Sequence, residues 1–523
     1  MRVAPSKSSW SGALAVIAAV VIVGQVRAEQ ADPPAPPAAP AVGRIVGAVR
    51  FAGKVEPPVE LHAHHDPEVC AKGGPLIDER RLVAADGALA NVVVVLQGMP
   101  ATPAAAAAAA ATLDQRACRF VPHVQAVTQG TPLAITSSDP VLHNVHAFLG
   151  KRTAFNLAIP VAGRTVTRKL DEAGILRVRC DSGHTWMSAY VAVVPHRYFA
   201  VSAADGTFAI ADGPPGDYKL RASHEDLAAV EQWVTVAVVA DAAVSLTFKE
   251  PDADRPAPAR PDDELRLALA ATRTAVDALA AERRDVERDR LAREGAPLFQ
   301  KFCATCHGRR GDGQGPSARF TTTPPRDLTR GTFKFRMTPV GAPPTLDDLV
   351  RTISVGVRGT HMPAWKGKLT RTQIETLARF VTTRSDVFWT DAPPAPRLDI
   401  PAEPPYDDAA VARGKELYAK MQCATCHGER GGGDGPAAKA LKDDWGHPIR
   451  PADFTRGAFK GGCCGATIFR AISTGLGGTP MPSFAAAMSP AERWDLAHYV
   501  LSLGHTRPAV DYLTAPAGRI TPP

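Results

Sequence analysis

Apolar residues are grouped along this chain in four ways. The first is an unbroken run from Gly12 to Gly24, preceded by Arg2 and Lys7 and followed by Val26-Arg27-Ala28. A basic start, a short apolar stretch and a small-residue end predict a secretory signal over 1–28, cleaved after Ala28. The run falls short of the roughly 20 residues a membrane span needs, so no span is expected after cleavage. Residues 29–43 are Pro- and Ala-rich and predict a linker with no core of its own.

The second grouping is a series of short β-branched runs: Ile45–Val49, Asn91–Leu96, Leu133–Thr136 and Leu176–Cys180. Short strands at such spacing predict an all-β sandwich over 44–196, with Pro103 and the alanines up to Ala111 as a surface insertion. From Tyr198 the strands alternate more regularly, separated by Asp205-Gly206 and Pro214-Pro215-Gly216-Asp217. Such turns predict hairpins and a second, small β-sandwich over 197–250.

The third grouping has helical spacing. After a linker from Pro251 to Pro261, residues 262–294 carry Leu265, Leu269, Val276, Leu279 and Val286 on one stripe among many charges. The spacing predicts one charged helix, packed against the chain's own domains or in a short coiled coil, so that 251–293 is linker and helix. The fourth grouping is an internal repeat. Arg326-Asp327-Leu328-Thr329-Arg330-Gly331-Thr332-Phe333-Lys334 is answered by Ala452-Asp453-Phe454-Thr455-Arg456-Gly457-Ala458-Phe459-Lys460, and Gly359-Thr360-His361-Met362-Pro363 by Gly478-Thr479-Pro480-Met481-Pro482. Two α-helical units follow, 294–390 and 409–508, separated by a Pro-rich linker over 391–408 and trailed by a tail over 509–523.

Each unit opens on the same chemistry, Cys303-Ala304-Thr305-Cys306-His307 and, 120 residues later, Cys423-Ala424-Thr425-Cys426-His427. Cys-x-x-Cys-His is a c-type haem attachment pattern. Two thiols three positions apart each bond one vinyl group of a porphyrin, and the next residue delivers an imidazole to the iron. Met362 and Met481 lie 59 and 58 residues beyond the first cysteine of their units. Both units resemble the small class I cytochromes c, in which a Met from a Met-Pro loop is the second axial ligand. The resemblance implies two haems c, with His307 and Met362 on one iron and His427 and Met481 on the other, and no open coordination position. His361 competes for the iron only in the first unit, because the second has Pro480 there.

The first sandwich carries its own ligand set, His143-Asn144 followed by Cys180, His184 and Met187. Two His and one Cys with a weak axial Met are the donors of a blue-copper site. The region resembles cupredoxins, which implies one mononuclear copper held by these four residues. Its late loop also resembles the second half of the binuclear copper loop of cytochrome c oxidase subunit two, but Leu176 stands where that family has a further Cys. A metal-free sandwich is the bland alternative. His146 rivals His143, although strand alternation places the two on opposite faces. His62, His64, His65 and His123 read as surface or capping histidines. Cys70 and Cys118 are expected to form a disulfide or to remain a buried free pair. Cys463-Cys464 has no counterpart in the first unit, and its state is open. The segment from Tyr198 resembles the carboxypeptidase-regulatory-like β modules and implies a structural role.

At 523 residues the chain holds several domains. Its formal charge of +7 falls to +4 without the signal, and four haem propionates bring it near zero. No Lys/Arg cluster with interleaved aromatics is present, which argues against nucleic acid. The expectation is a multidomain periplasmic electron-transfer protein, not an enzyme, exchanging electrons with a dehydrogenase, reductase or terminal oxidase. A peroxidase- or reductase-like enzyme with an open haem and a copper-handling or sensing protein are the competing readings.

Overall fold

The computed structural model describes residues 42–102, 109–238, 240–250, 275–390, 393–462 and 464–504. The expected signal and linker, part of the alanine run, the start of the charged helix, Cys463 and the tail lie outside them. Among the described residues no helix is long and apolar enough to cross a membrane.

Two β-sandwiches form the N-terminal part, and their division differs from the one expected. Strand Gly43–Phe51 lies between Thr207–Gly213 and Asp241–Phe248 in a three-stranded sheet. Strand Val93–Leu96 lies between Phe199–Val201 and Gly216–Ser223, with Val230–Val236 at the edge, in a four-stranded sheet. The two sheets bury Ile45, Val49, Val94, Leu96, Leu220 and Leu246 between them. The small sandwich is therefore built from both sides of the ligand-bearing sandwich, and the grouping of strands Gly43–Phe51 and Val93–Leu96 with the latter is corrected. Gly47 permits the close approach, because a Cβ there would meet the Phe208 ring at 2.6 Å. The Asp205-Gly206 and Pro214-Pro215 turns are corners between sheets rather than hairpins, since the strands they join pair elsewhere.

The uninterrupted run Val93–Leu96 has a physical reason. Val94 and Leu96 face the core of the small sandwich, while Val93 and Val95 pack with Val124, Ile175, Ala192 and Val194 of the neighbouring sandwich. A strand covered on both faces reads as continuous apolar sequence. His123 also lies at this junction. It is buried, with Nε2 2.5 Å from Glu225 Oε1 and Nδ1 3.0 Å from the Ser188 carbonyl, and is not a surface residue.

The second sandwich has a five-stranded sheet in the order Arg152–Ile159, His143–Leu149, Gly174–Arg179, Ser188–Val194, Val124–Thr128. It faces the four strands Val166–Lys169, Pro132–Ser137, Ala111–Arg116 and Arg119–Val121 across a core that includes Leu113, Leu133, Ile135, Val145 and Val191. An excursion from the small sandwich, with the ribbon Glu60–Leu61/Leu76–Ile77 and the helical turn Pro67–Cys70, lies against the same core. A disulfide between Cys70 and Cys118 ties it down.

The charged helix spans Ala275–Phe302 and runs on as the first helix of the first haem unit, instead of ending before it. Val286 is 63% exposed, so the apolar stripe does not pack along its whole length. Leu265 and Leu269 lie outside the described residues. Each haem unit crosses its first and last helices in the same way. Gly295 and Phe299 meet Phe380 on helix Arg371–Thr382, and Gly414 and Tyr418 of helix Asp408–Lys420 meet Tyr499 on helix Pro490–Ser502. Missing Cβ atoms let the helices approach while the aromatic pairs fill the crossing. Capping boxes at Thr370 and Ser489 start the two last helices, and one at Thr345 starts a further helix, Leu346–Val355.

Candidate metal centres

His143 opens the fully buried strand His143–Leu149, and the Cys180–Met187 loop folds back over it. Asn144 joins the two. Its Oδ1 accepts hydrogen bonds from the Asp181 amide at 2.6 Å and the Ser182 hydroxyl at 3.1 Å, and lies 3.4 Å from Cys180 Sγ. Cys180 Sγ then stands 3.8 Å from His143 Nδ1 and 3.9 Å from His184 Nδ1. First-row metal distances of about 2.3 Å to sulfur and 2.0 Å to nitrogen at roughly 120° put S and N about 3.7 Å apart, so the donor set fits one trigonally bound ion. Met187 is buried in the same core. All four residues are at most 2% exposed.

The far nitrogens of both imidazoles are held. His143 Nε2 is 2.9 Å from Asp139 Oδ2, and His184 Nε2 is 3.0 Å from Asp66 Oδ2. Such carboxylates orient the rings and leave Nδ1 to face the sulfur. Burial, followed by the neighbouring His143, pushes His184 down to about 2, so its ring is neutral at physiological pH. For His143 burial works the other way from Asp139 and Cys180, which prevail and raise it to about 9. Metal binding at Nδ1 therefore displaces a proton.

Asp66 and Asp139 carry no local motif and are not evident in the sequence. His65 is no ordinary surface histidine, because its ring stacks on His184 at 5.2 Å. His62 and His64 are exposed, as expected. His146 stays out of the cluster, with Nδ1 2.5 Å from Asp181 and Nε2 3.1 Å from Thr153 Oγ1.

The repeated units are alike at the level of single hydrogen bonds. His307 Nδ1 is 3.0 Å from the Arg326 carbonyl, and His427 Nδ1 is 3.2 Å from the Ala452 carbonyl, positions that correspond in the repeat. Donation to these carbonyls leaves each Nε2 as the available lone pair. Burial lowers the pKa of both rings, His427 to about 4, so both are neutral. Burial, and beyond it Cys180 and Asp181, pushes the Cys426 thiol up to about 12.

The methionine loops match too. The Val357 amide donates to the Met362 carbonyl at 3.1 Å, and the Leu476 amide donates to the Met481 carbonyl at 3.1 Å. The Met362 and Met481 amides donate to Thr360 and Thr479 hydroxyls at 3.2 and 3.3 Å. His361 is exposed, whereas Met362 is half-buried. In the second unit Cys423, Cys426, His427 and Met481 line one cavity of about 950 Å³, roomy enough for a porphyrin.

Residues 411–504 match the family model for cytochrome c, and residues 290–381 match that for cytochrome c oxidase, cbb3-type, subunit III. The chain thus carries two cytochrome c domains, the class of haem electron-transfer module, behind β-rich N-terminal domains. It is 28% identical over 222 residues to the cbb3-type cytochrome c oxidase subunit FixP of Azorhizobium caulinodans, covering 41% of this chain and 60% of that relative. The chain thus spans about three-fifths of that relative's length. Among solved structures, a chain of the Kuenenia stuttgartiensis reducing HAO-like protein complex is 42% identical, over 40% of this chain and 96% of that one, with a TM-score of 0.39. A purple cupredoxin from Nitrosopumilus maritimus is 22% identical, over 16% of this chain and 98% of that one, with a TM-score of 0.15.

Proposed function

We propose that this chain is a periplasmic electron-transfer protein with three one-electron centres: a mononuclear copper held by His143, Cys180, His184 and Met187, and two haems c. Cys303 and Cys306 attach one haem, with His307 and Met362 on its iron; Cys423 and Cys426 attach the other, with His427 and Met481. The observation that carries this reading is the buried placement of Cys180 Sγ within 3.9 Å of two imidazole nitrogens, beside two haem units with matching His and Met loops. Bound copper and haem supply reversible one-electron chemistry. The protein's part is to hold the ligands in fixed geometry, exclude water and keep the His184, His307 and His427 rings neutral, while His143 gives up a proton as the metal binds. With His and Met on each iron no position is left for a substrate, which favours carriage over catalysis.

The redox partner in this reading is a terminal oxidase or another respiratory enzyme; the cbb3-type oxidase subunit among the relatives supports the former. The small β-sandwich has a structural role, as a carboxypeptidase-regulatory-like module would. The test is an optical spectrum of the purified protein, oxidised and reduced, with copper and haem counted on the same sample. One copper, two low-spin haems with a Met–iron band and a thiolate-to-copper absorption are expected. Cys180→Ser is expected to remove the blue absorption and leave both haems. High-spin haem, or no copper, would overturn the reading.

A further inference from the structure

The second haem unit follows the first in the chain, yet it is the one that docks on the ligand-bearing end of the copper sandwich. Gln422, the residue before the second haem motif, reaches across with its side chain. Its Oε1 accepts from the Leu142 amide at 2.8 Å, one residue before His143, and its Nε2 donates to the Pro160 carbonyl at 3.0 Å. Ser483, two residues after Met481, bonds through its backbone to Asn156 and Ala158 at 2.9 and 3.0 Å. Asp444 accepts from Thr153 at 2.8 Å and from Arg179 at 3.2 Å. Leu142, Asp181 and Ser182, which flank the copper ligands, line the same cavity as Cys423, Cys426 and His427.

The second unit's contact runs along the edge strand Arg152–Ile159, from Thr153 to Pro160, and the first unit touches it at the end away from His143. Its Gly341 carbonyl accepts from Arg152 at 3.4 Å, and Arg152 pairs with Leu149, the last residue of the strand that His143 begins. Six residue steps of strand separate that point from His143, about 20 Å. The first unit instead meets the second. The Arg326 carbonyl holds His307, while its side chain enters the second unit's cavity and stacks on Trp445 at 4.3 Å. Arg336 donates to the Thr474 carbonyl at 2.8 Å.

Resting on the proposed ligand sets, we infer that the C-terminal haem is the relay between copper and the N-terminal haem, so that the order of the centres in space differs from their order in the chain. The Cys180–Ser182 and Gln422–Cys426 segments form the junction between copper and relay, and Arg326 forms the junction between relay and N-terminal haem. An electron crossing the first junction oxidises Cu(I) to Cu(II) as it reduces Fe(III) to Fe(II), or the reverse, with no bond made or broken.

The test uses the full holoprotein with one haem marked at a time. Met362→His removes the Met–iron band of the N-terminal haem, so the remaining band reports the C-terminal one; Met481→His does the converse. After rapid partial reduction, the blue absorption is expected to change in the same phase as the C-terminal band, with the N-terminal band following later. Pulsed EPR on the unmodified oxidised protein is expected to show Cu(II) relaxation dominated by one nearby low-spin iron, an effect lost in Cys423→Ser/Cys426→Ser and kept in Cys303→Ser/Cys306→Ser. The opposite order, or relaxation lost with the N-terminal haem, overturns the inference and leaves the three-centre reading standing. Absence of the copper signal overturns both.

Discussion

Gly475 is the residue on which the second methionine loop turns. Its backbone sits at φ 63°, ψ −177°, and a Cβ there would meet the Met481 carbonyl oxygen, the Pro482 carbonyl carbon and the Ser483 amide nitrogen, each at 2.9 Å. That region of backbone space is essentially reserved for glycine and costs about 1–3 kcal/mol for other residues. In Gly475→Ala the strain is relieved most directly by moving the Met481–Ser483 backbone, which carries the proposed iron ligand. If all of it is released on detachment, the Met-off population rises roughly 5–150-fold. The near-infrared Met–iron band of the oxidised protein should weaken, with half its strength as the limit since only one of two haems is affected, and that haem's reduction potential should drop because the thioether raises it. Gly356 holds the corresponding place in the first unit, at φ 69° with the Met362 carbonyl 2.6 Å from its would-be Cβ, so Gly356→Ala should lower the other haem alone. A full-strength band and unchanged potentials in both variants would refute the assignment of these methionines as ligands held by glycine-dependent loops.

Two further outcomes follow from the β-rich half. Replacing Cys70 and Cys118 with Ala opens a crosslink across a separation of 48 residues, which should lower stability in denaturant by about 2–4 kcal/mol. Because that crosslink holds the segment with His65 and Asp66 over His184, the same variant should lose copper to a chelator faster; unchanged stability and exchange would contradict this role. His123 is buried, which opposes its charge, but its contact with Glu225 prevails and raises its pKa above the ordinary 6.5. A group raised on folding contributes fully below its unfolded pKa and loses that contribution as pH rises through its folded pKa. Thermal stability should therefore decline on the alkaline side of pH 6.5 by an increment that His123→Gln removes. An identical pH profile in the variant would show that the pair does not join the two sandwiches energetically.

What could be read in the chain is what neighbouring residues dictate. Cys303-x-x-Cys306-His307 and its copy declare themselves because a porphyrin is gripped by side chains within five positions, and the Met-Pro loops stand out because the repeat places them twice. The cluster of His143, Cys180 and His184 is legible for a similar reason, with Cys180, His184 and Met187 inside eight residues and Asn144 beside His143. The strand Gly43–Phe51 could not be assigned to its sandwich, because an alternating pattern states that one face is buried but not against which sheet. Asp66 and Asp139 were invisible because a carboxylate's role as a hydrogen-bond acceptor depends only on what comes within 3 Å of it. The docking of the second haem unit beside the His143–Cys180 cluster was equally hidden. It rests on contacts such as Gln422 with Leu142, 280 residues apart, and no local spacing encodes them. Candidate ligands are a property of short sequence, whereas which unit lies against which is decided by how whole surfaces fit.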